Sequence, residues 1–209
     1  RGLGDVYKRQ LATRITHFLE RNAAYGMEYS LIRRPGAHQP VVPGTPCTFS
    51  TRRGQPVSVR RATPNDIERI ANMLRHMSDR TREQRYLMLR SWTAEAVQQE
   101  AQRMAQGQTH DHITLIVTAH DYSNDQVLAV AELVRDAHEP TVSEFALLVR
   151  DDHQGGGIGS MLLKCLAQSA PSLGIAMLRA YVLPNNHAMQ VVIRNLGLPY
   201  TAMFQQGEL

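Results

Sequence analysis

The chain has 209 residues, of which 43% are apolar, and a formal net charge of +4 at neutral pH. That is room for one good core, or one domain with an appendage, and no apolar run approaches the roughly 20 residues needed to cross a bilayer. The two cysteines, Cys47 and Cys165, do not resemble a disulfide framework, and the basic pairs Arg33-Arg34, Arg52-Arg53 and Arg60-Arg61 lack the interleaved aromatics of a nucleic-acid surface.

These bounds lead us to expect a cytoplasmic globular protein with neither a membrane nor a nucleic-acid partner. The modest positive charge reads as solvated surface, or as attraction for a polyanionic ligand. Association into a homo-oligomer stays open.

In chain order, Arg1 to Gln10 has no initiator Met and resembles translated adapter sequence, so it is left out of the fold reasoning. Leu11 to Arg34 suits a short helix with Ile15, Phe18 and Leu19 on its apolar side, followed by an ambiguous stretch from Tyr25 to Ile32. Prolines at 35, 40, 43, 46 and 56 make Pro35 to Pro56 read as a linker, so residues 11–56 are expected to precede a domain over residues 57–209.

Within that domain Val57 to Arg60 reads as a first strand. Thr63-Pro64-Asn65-Asp66 then supplies an N-cap, a proline at the first helical position and an acid in the first turn. Ile67, Ile70, Leu74 and Met77 form the buried stripe of the helix that follows. Ser78 to Leu89 reads as a second helical region, and Thr93 caps a third helix that runs to Gly107.

Ile113 to Thr118, Val127 to Val134 and Val142 to Val149 read as three consecutive strands joined by short turns, hence antiparallel neighbours. If the turn Asp136 to Pro140 is centred near His138, pairing sets Glu132 opposite Glu144. Ala176 to Val182 is a further strand, reached by a helical crossover and therefore parallel to Val142 to Val149. Asn186 to Asn195 is the last helix, and Tyr200 to Phe204 starts a strand close to the end of the chain.

The stretch that organises the chain is Phe145 to Ser160, where five apolar residues of a buried strand meet a glycine-rich loop that opens a helix. Gly155, Gly156, Gly157 and Gly159 admit a ligand to the backbone and permit positive φ angles. Met161, Leu162, Cys165 and Leu166 place the next helix with its N-terminus at the loop, so unpaired N–H groups and the helix dipole converge on an anion. The spacing fits neither a dinucleotide fingerprint nor a Walker loop, which lacks its Gly-Lys-Ser/Thr here.

Gln154-x-x-Gly157-x-Gly159 resembles the pyrophosphate loop of the GNAT superfamily of acyl-CoA-dependent N-acyltransferases. Asn186, Met189, Ile193 and Gly197-Leu198 fall at the spacings of that superfamily's next helix, and Arg60 with Pro64-x-Asp66 resembles its opening. Met77 to Tyr86, and Ser143 to Gln154, are similar to bacterial protein-lysine acetyltransferases of the Pat kind.

The resemblance implies an α/β fold: a mixed, mostly antiparallel sheet with helices on both faces and a parallel strand pair splayed at the cofactor site. It also implies two closing strands, so a truncated C-terminus is expected. The implied activity is acetyl transfer from acetyl-CoA to a primary amine, with a protein lysine as preferred acceptor and no metal. The rivals are a small-molecule amine acetyltransferase and a non-catalytic acyl-CoA-binding regulatory module.

By the same resemblance, backbone N–H groups of Gln154, Gly155, Gly156, Gly157, Ile158 and Gly159 hold the pyrophosphate. Leu147 and Val149 offer the strand edge to pantetheine, the N–H near Leu148 serves the oxyanion, and Asn186 binds cofactor beyond the thioester. Glu144 is the candidate base, because an acid in an apolar strand has its pKa raised by desolvation. Many relatives use a Tyr as general acid where this sequence has Ile193, leaving water or Tyr181 for that task. His110, His112 and His120 read as surface features rather than a metal site.

Overall fold

A computed structural model describes residues 26–32, 47–87, 92–106, 108–119 and 126–205. They form β1 (Gly26–Ile32), β2 (Cys47–Ser50), β3 (Pro56–Arg61), α1 (Ile67–Arg75), α2 (Asp79–Tyr86), α3 (Ala94–Gln106), β4 (His112–Ala119), β5 (Val127–Arg135), β6 (Val142–Val149), α4 (Ile158–Ser169), β7 (Met177–Val182), α5 (His187–Asn195) and β8 (Tyr200–Gln205). Among these residues no helix is long and apolar enough to cross a membrane.

The strands make one sheet in the order β2-β3-β4-β5-β6-β7-β1-β8. Every described pairing is antiparallel except β6 with β7, whose helical crossover through α4 imposes the parallel sense.

Period-two alternation sends each strand's side chains to two cores. On one face Ile116, Val130 and Leu148 pack against Ile70, Met73 and Leu74 of α1 and Val97 and Met104 of α3. On the other, Leu115, Ala131, Phe145 and Leu178 pack against Ile158, Leu162 and Leu166 of α4 and Ile193 of α5. Burial of each of the larger side chains among these stabilises the fold by about 1.5–3 kcal/mol, which fixes the register of the strands that carry the site.

The first helix is entered as its sequence dictates. Thr63 is extended, Pro64–Asp66 form a short 3-10 turn, and Thr63 and Asp66 cap each other reciprocally. Asp66 is fully buried and receives both guanidinium nitrogens of Arg60 at 2.7 Å. Burial alone would raise its pKa, but Arg60 and Thr63 outweigh this and hold the carboxyl far below the usual range.

Three sequence expectations need adjustment. Of the ambiguous stretch Tyr25 to Ile32, Gly26–Ile32 forms β1, which lies between β7 and β8 and carries the buried Tyr29 and Leu31; Tyr25 and the helix expected before it lie outside the described residues. Part of the Pro-rich stretch is strand β2, which pairs with β3 and brings Cys47 Sγ to 3.9 Å from Cys165 Sγ on α4. The turn after β5 is centred one residue later than expected, so Glu132 faces Ala146 and Glu144 faces Val134. The two acids share a face as diagonal neighbours and are not directly opposed.

Candidate functional site

The site begins where β6 and β7 part. They pair only over Val142–Glu144 and Met177–Arg179, after which β6 runs on to Val149 beside β5. Backbone groups left without a ladder are strong hydrogen-bonding groups that need a partner, so a splayed parallel pair is suited to an extended ligand. Leu147 and Val149 turn toward the α4 core, and Leu148 is buried against α1 and α3.

At the end of β6 the chain makes a 3-10 turn over Asp151–His153 and enters the glycine loop. Asp151 ties this turn to the start of α2, accepting from Ser78 N–H at 2.9 Å, Ser78 Oγ at 2.8 Å and Thr81 Oγ1 at 2.6 Å. Burial raises its pKa, but the Thr81 and Ser78 hydrogen bonds prevail and keep it ionised. Gln154 is exposed but folds back on its own loop: its Nε2 donates to Val149 O at 3.1 Å and to Thr81 Oγ1 at 3.2 Å, so the side chain braces the loop.

The glycines divide by task. Gly155 and Gly157 have φ of 74° and 87°, a left-handed conformation that disfavours other residues. Gly157 is the N-cap of α4 and offers no side-chain cap, which leaves the first-turn N–H groups directed into the loop. A Cβ on Gly156 would lie 3.3 Å from His153 O, and one on Gly159 would lie 3.4 Å from Val192 on α5. Gly159 therefore serves helix packing, where the sequence reading had all four glycines opening the loop to ligand.

Glu144 is half-buried on β6 beside Arg179 of β7. Among the described residues no side chain hydrogen-bonds its carboxyl. Burial raises its pKa to about 7; Arg85 opposes the rise, Glu132 adds to it, and Arg179 opposes it. A carboxyl that titrates near neutrality at a sheet opening is suited to proton transfer.

The neighbouring acid, Glu132, is held in its charged form by a network the sequence did not reveal. Glu132 is 2% exposed, and it receives Arg103 Nη1 at 2.6 Å, His112 Nε2 at 2.9 Å and a close pairing with Arg85. Arg103 also holds Glu100, which accepts from Tyr86 Oη at 3.0 Å. Burial would raise the pKa of Glu132, but Arg103, His112 and Arg85 drive it well below the usual carboxylate range. Glu132 thus stays charged and presses its neighbour Glu144 toward protonation. His112, read as surface, belongs to this network; His110 is exposed and His120 lies outside the described residues.

Other expected residues take definite places. Asn186 caps α5, accepting from Met189 N–H at 3.1 Å. Ile193 is fully buried in the α4 core, so no acid replaces the missing Tyr there. Tyr181 lies on β7 across from Glu28, and burial, then Glu28, then Glu144 push its hydroxyl up to about 12.

Sequence reasoning also missed the β2–β3 hairpin. Its turn docks on the glycine loop through the Arg52 N–H, which donates to Gly156 O at 2.9 Å, and Arg53, which donates to Asp152 O at 2.8 Å and Gln154 O at 3.2 Å. The Arg52-Arg53-Gly54 turn was the available signal, hidden among prolines. Beside the loop, Arg52, Ser160 and Lys164 line a cleft of about 420 Å³.

Comparison with known proteins places this geometry. Residues 57–199 match the family model of the acetyltransferase (GNAT) domain. Over 153 residues the chain is 32% identical to the acetyltransferase Pat of Mycolicibacterium smegmatis, covering 73% of this chain and 44% of that protein. The GNAT domain of S. lividans PAT superposes with a TM-score of 0.64 at 24% identity, covering 77% of this chain and 97% of that one. A cAMP-binding acyltransferase from Mycobacterium smegmatis superposes with a TM-score of 0.50 at 28% identity, over 76% of this chain and 47% of that one. The chain therefore spans about half the length of these full-length relatives. With the family model matched over most of the chain and its splayed pair, glycine loop and capped helix all in place, this chain belongs to the GNAT acetyltransferase family.

Proposed function

We propose that the chain transfers an acetyl group from acetyl-CoA to a primary amine in a ternary complex, and that a protein lysine is its preferred acceptor. The observation that carries this reading is Glu144, a carboxyl titrating near pH 7 at the mouth of the β6–β7 opening, on the strand that ends in the glycine loop. Kinship to Pat supports the lysine acceptor. In this reading residues 57–209 carry the reaction in a cytoplasmic setting, and β1 and β2 complete the sheet.

Each chemical task has a residue. Backbone N–H groups from Gln154 to Gly159 hold the pyrophosphate at the N-terminus of α4. The open edge of β6, at Leu147 and at the N–H of Val149, whose carbonyl is held by Gln154, pairs with pantetheine, and Asn186 contacts the cofactor beyond the thioester while it caps α5. Glu144 removes a proton from the ammonium, directly or through water, and the neutral amine attacks the thioester carbonyl. The Leu148 N–H itself is turned to Val130 of β5, so a neighbouring N–H on the open edge of β6, at Leu147 or Val149, stabilises the oxyanion; the C–S bond then breaks to release the thiolate. A thiol of pKa about 8.5 leaves tolerably without an acid, and water or the Tyr181 hydroxyl hydrogen-bonds the departing sulfur.

The burial of Ile193 where relatives carry a Tyr favours a second reading, an acyl-CoA-binding regulatory module without turnover. Thiol release from acetyl-CoA against protein lysines, polyamines, amino acids and aminoglycosides tests both. Release with lysine substrates alone is expected. Release with one small-molecule class alone would replace the acceptor, and binding of acetyl-CoA without release would favour the module.

A further inference from the structure

We propose that Arg52 of the β2–β3 hairpin, with Lys164 of α4, recognises the phosphomonoester on the ribose of the CoA nucleotide and so selects acetyl-CoA over its dephosphorylated analogue. This rests on the acyl-CoA reading above and adds a specificity element from a residue, Arg52, that precedes the matched family domain.

The hairpin turn is built to hold a fixed position. Thr51 N–H donates to Gln55 O and Gly54 N–H to Thr51 O, both at 2.9 Å, and Gly54 takes a φ of +79°. Arg53 is committed to the carbonyls of Asp152 and Gln154, which locks the turn to the glycine loop. Arg52 contributes only its backbone to that lock. Its stem crosses Gly157, where a Cβ would lie 3.5 Å from Arg52 Cγ and 3.6 Å from Nε. Its guanidinium is exposed and joins no ion pair among the described residues.

Lys164 lies on the same cleft, about 10 Å further along α4 at about 1.5 Å per residue, and is likewise exposed and unpaired among the described residues. No Asp or Glu lines the cleft among the described residues. Two free cations in a cleft without acids call for an anion. The glycine loop takes the pyrophosphate, so the anion left for Arg52 and Lys164 is the nucleotide's remaining phosphate. That group is a monoester with a second pKa of about 6, hence nearly dianionic at neutral pH, and Arg suits it by offering two parallel donors.

The test compares acetyl-CoA with acetyl-dephospho-CoA, by calorimetric binding and by KM, for the wild-type chain and for Arg52→Ala, Arg52→Lys and Lys164→Ala. The wild type should bind acetyl-CoA about tenfold tighter, the scale of a charge-assisted hydrogen bond. Arg52→Ala should lose most of that preference by weakening acetyl-CoA alone, Arg52→Lys should keep part of it, and Lys164→Ala should reduce it. The docking bond of Arg52 is a backbone one, so the thermal midpoint of Arg52→Ala should match the wild type. Equal binding of both donors by the wild type would overturn the inference while leaving the acyl-CoA reading intact, as would equal weakening of both by Arg52→Ala. Binding of neither donor by a folded wild-type chain would overturn the acyl-CoA reading itself.

Discussion

At the scale of single residues, two acids on one sheet face are driven to opposite protonation states by what surrounds them. Glu144 lacks a hydrogen-bonded partner among the described residues and titrates at about 7, whereas Glu132 is enclosed by Arg103, Arg85 and His112 and stays charged. A base must be deprotonated to act, so kcat/KM should rise with pH through about 7 and level off above it. Glu144→Gln should lower kcat by about 10²–10⁴ and abolish that rise, with little change in acetyl-CoA binding. Equal activity in the mutant would remove Glu144 from the mechanism. Glu132→Ala makes a different prediction, because it strands the Arg85 guanidinium and leaves buried Arg103 to Glu100 alone: urea unfolding at neutral pH should show a loss of about 3–5 kcal/mol. The sign with pH follows from the depressed folded pKa of Glu132. Its stabilisation is present above the ordinary carboxylate range and is lost as pH falls through the folded value, so the wild-type advantage over Glu132→Ala should shrink in acid.

Among the elements, the run from β6 through the glycine loop to α4 was legible because each part announces itself locally: an apolar strand, glycines, then a helical stripe. Its glycines differ in what substitution would do. Gly157→Ala forces a Cβ into a left-handed conformation and should cost about 1–2 kcal/mol in denaturant unfolding while weakening acetyl-CoA binding. Asn186→Ala removes the cap of α5, for a loss of about 1 kcal/mol that Asn186→Ser should largely restore. The elements that were not legible depend on distant partners. β2 is four residues long amid prolines and exists because β3 pairs with it. The Arg103–Glu132–Arg85 network joins α3, β5 and α2, and no local pattern encodes which acid meets which guanidinium. The pairing of Glu132 and Glu144 was misjudged because the register hung on the turn's centre, and the turn closes around Glu139, whose carbonyl accepts from Val142 N–H.

For the whole molecule, the central architectural fact is that β1 joins β8 to the rest of the sheet. Among the described pairings β8 contacts β1 alone, and β1 bonds to β7 on its other side. A chain beginning at residue 34 should therefore lose β8 from the sheet, uncover the apolar side of β7 and show a lower, less cooperative thermal transition than the full chain. An unchanged transition would show that β1 contributes little to the fold. The site itself lies on the other side of this join, where β6 and β7 separate, and its function rests on one claim: the splay admits a thioester and Glu144 deprotonates the amine that attacks it. The most direct measurement is the rate of thiol release from acetyl-CoA, with a lysine-bearing protein as acceptor, for wild type and Glu144→Gln across pH about 6 to 9, which brackets the titration of the base. Release by the wild type that rises through about pH 7, and its near-complete loss in a mutant that still binds acetyl-CoA, is the predicted result. Wild-type binding without release at any pH, or release of equal rate from both proteins, would contradict it.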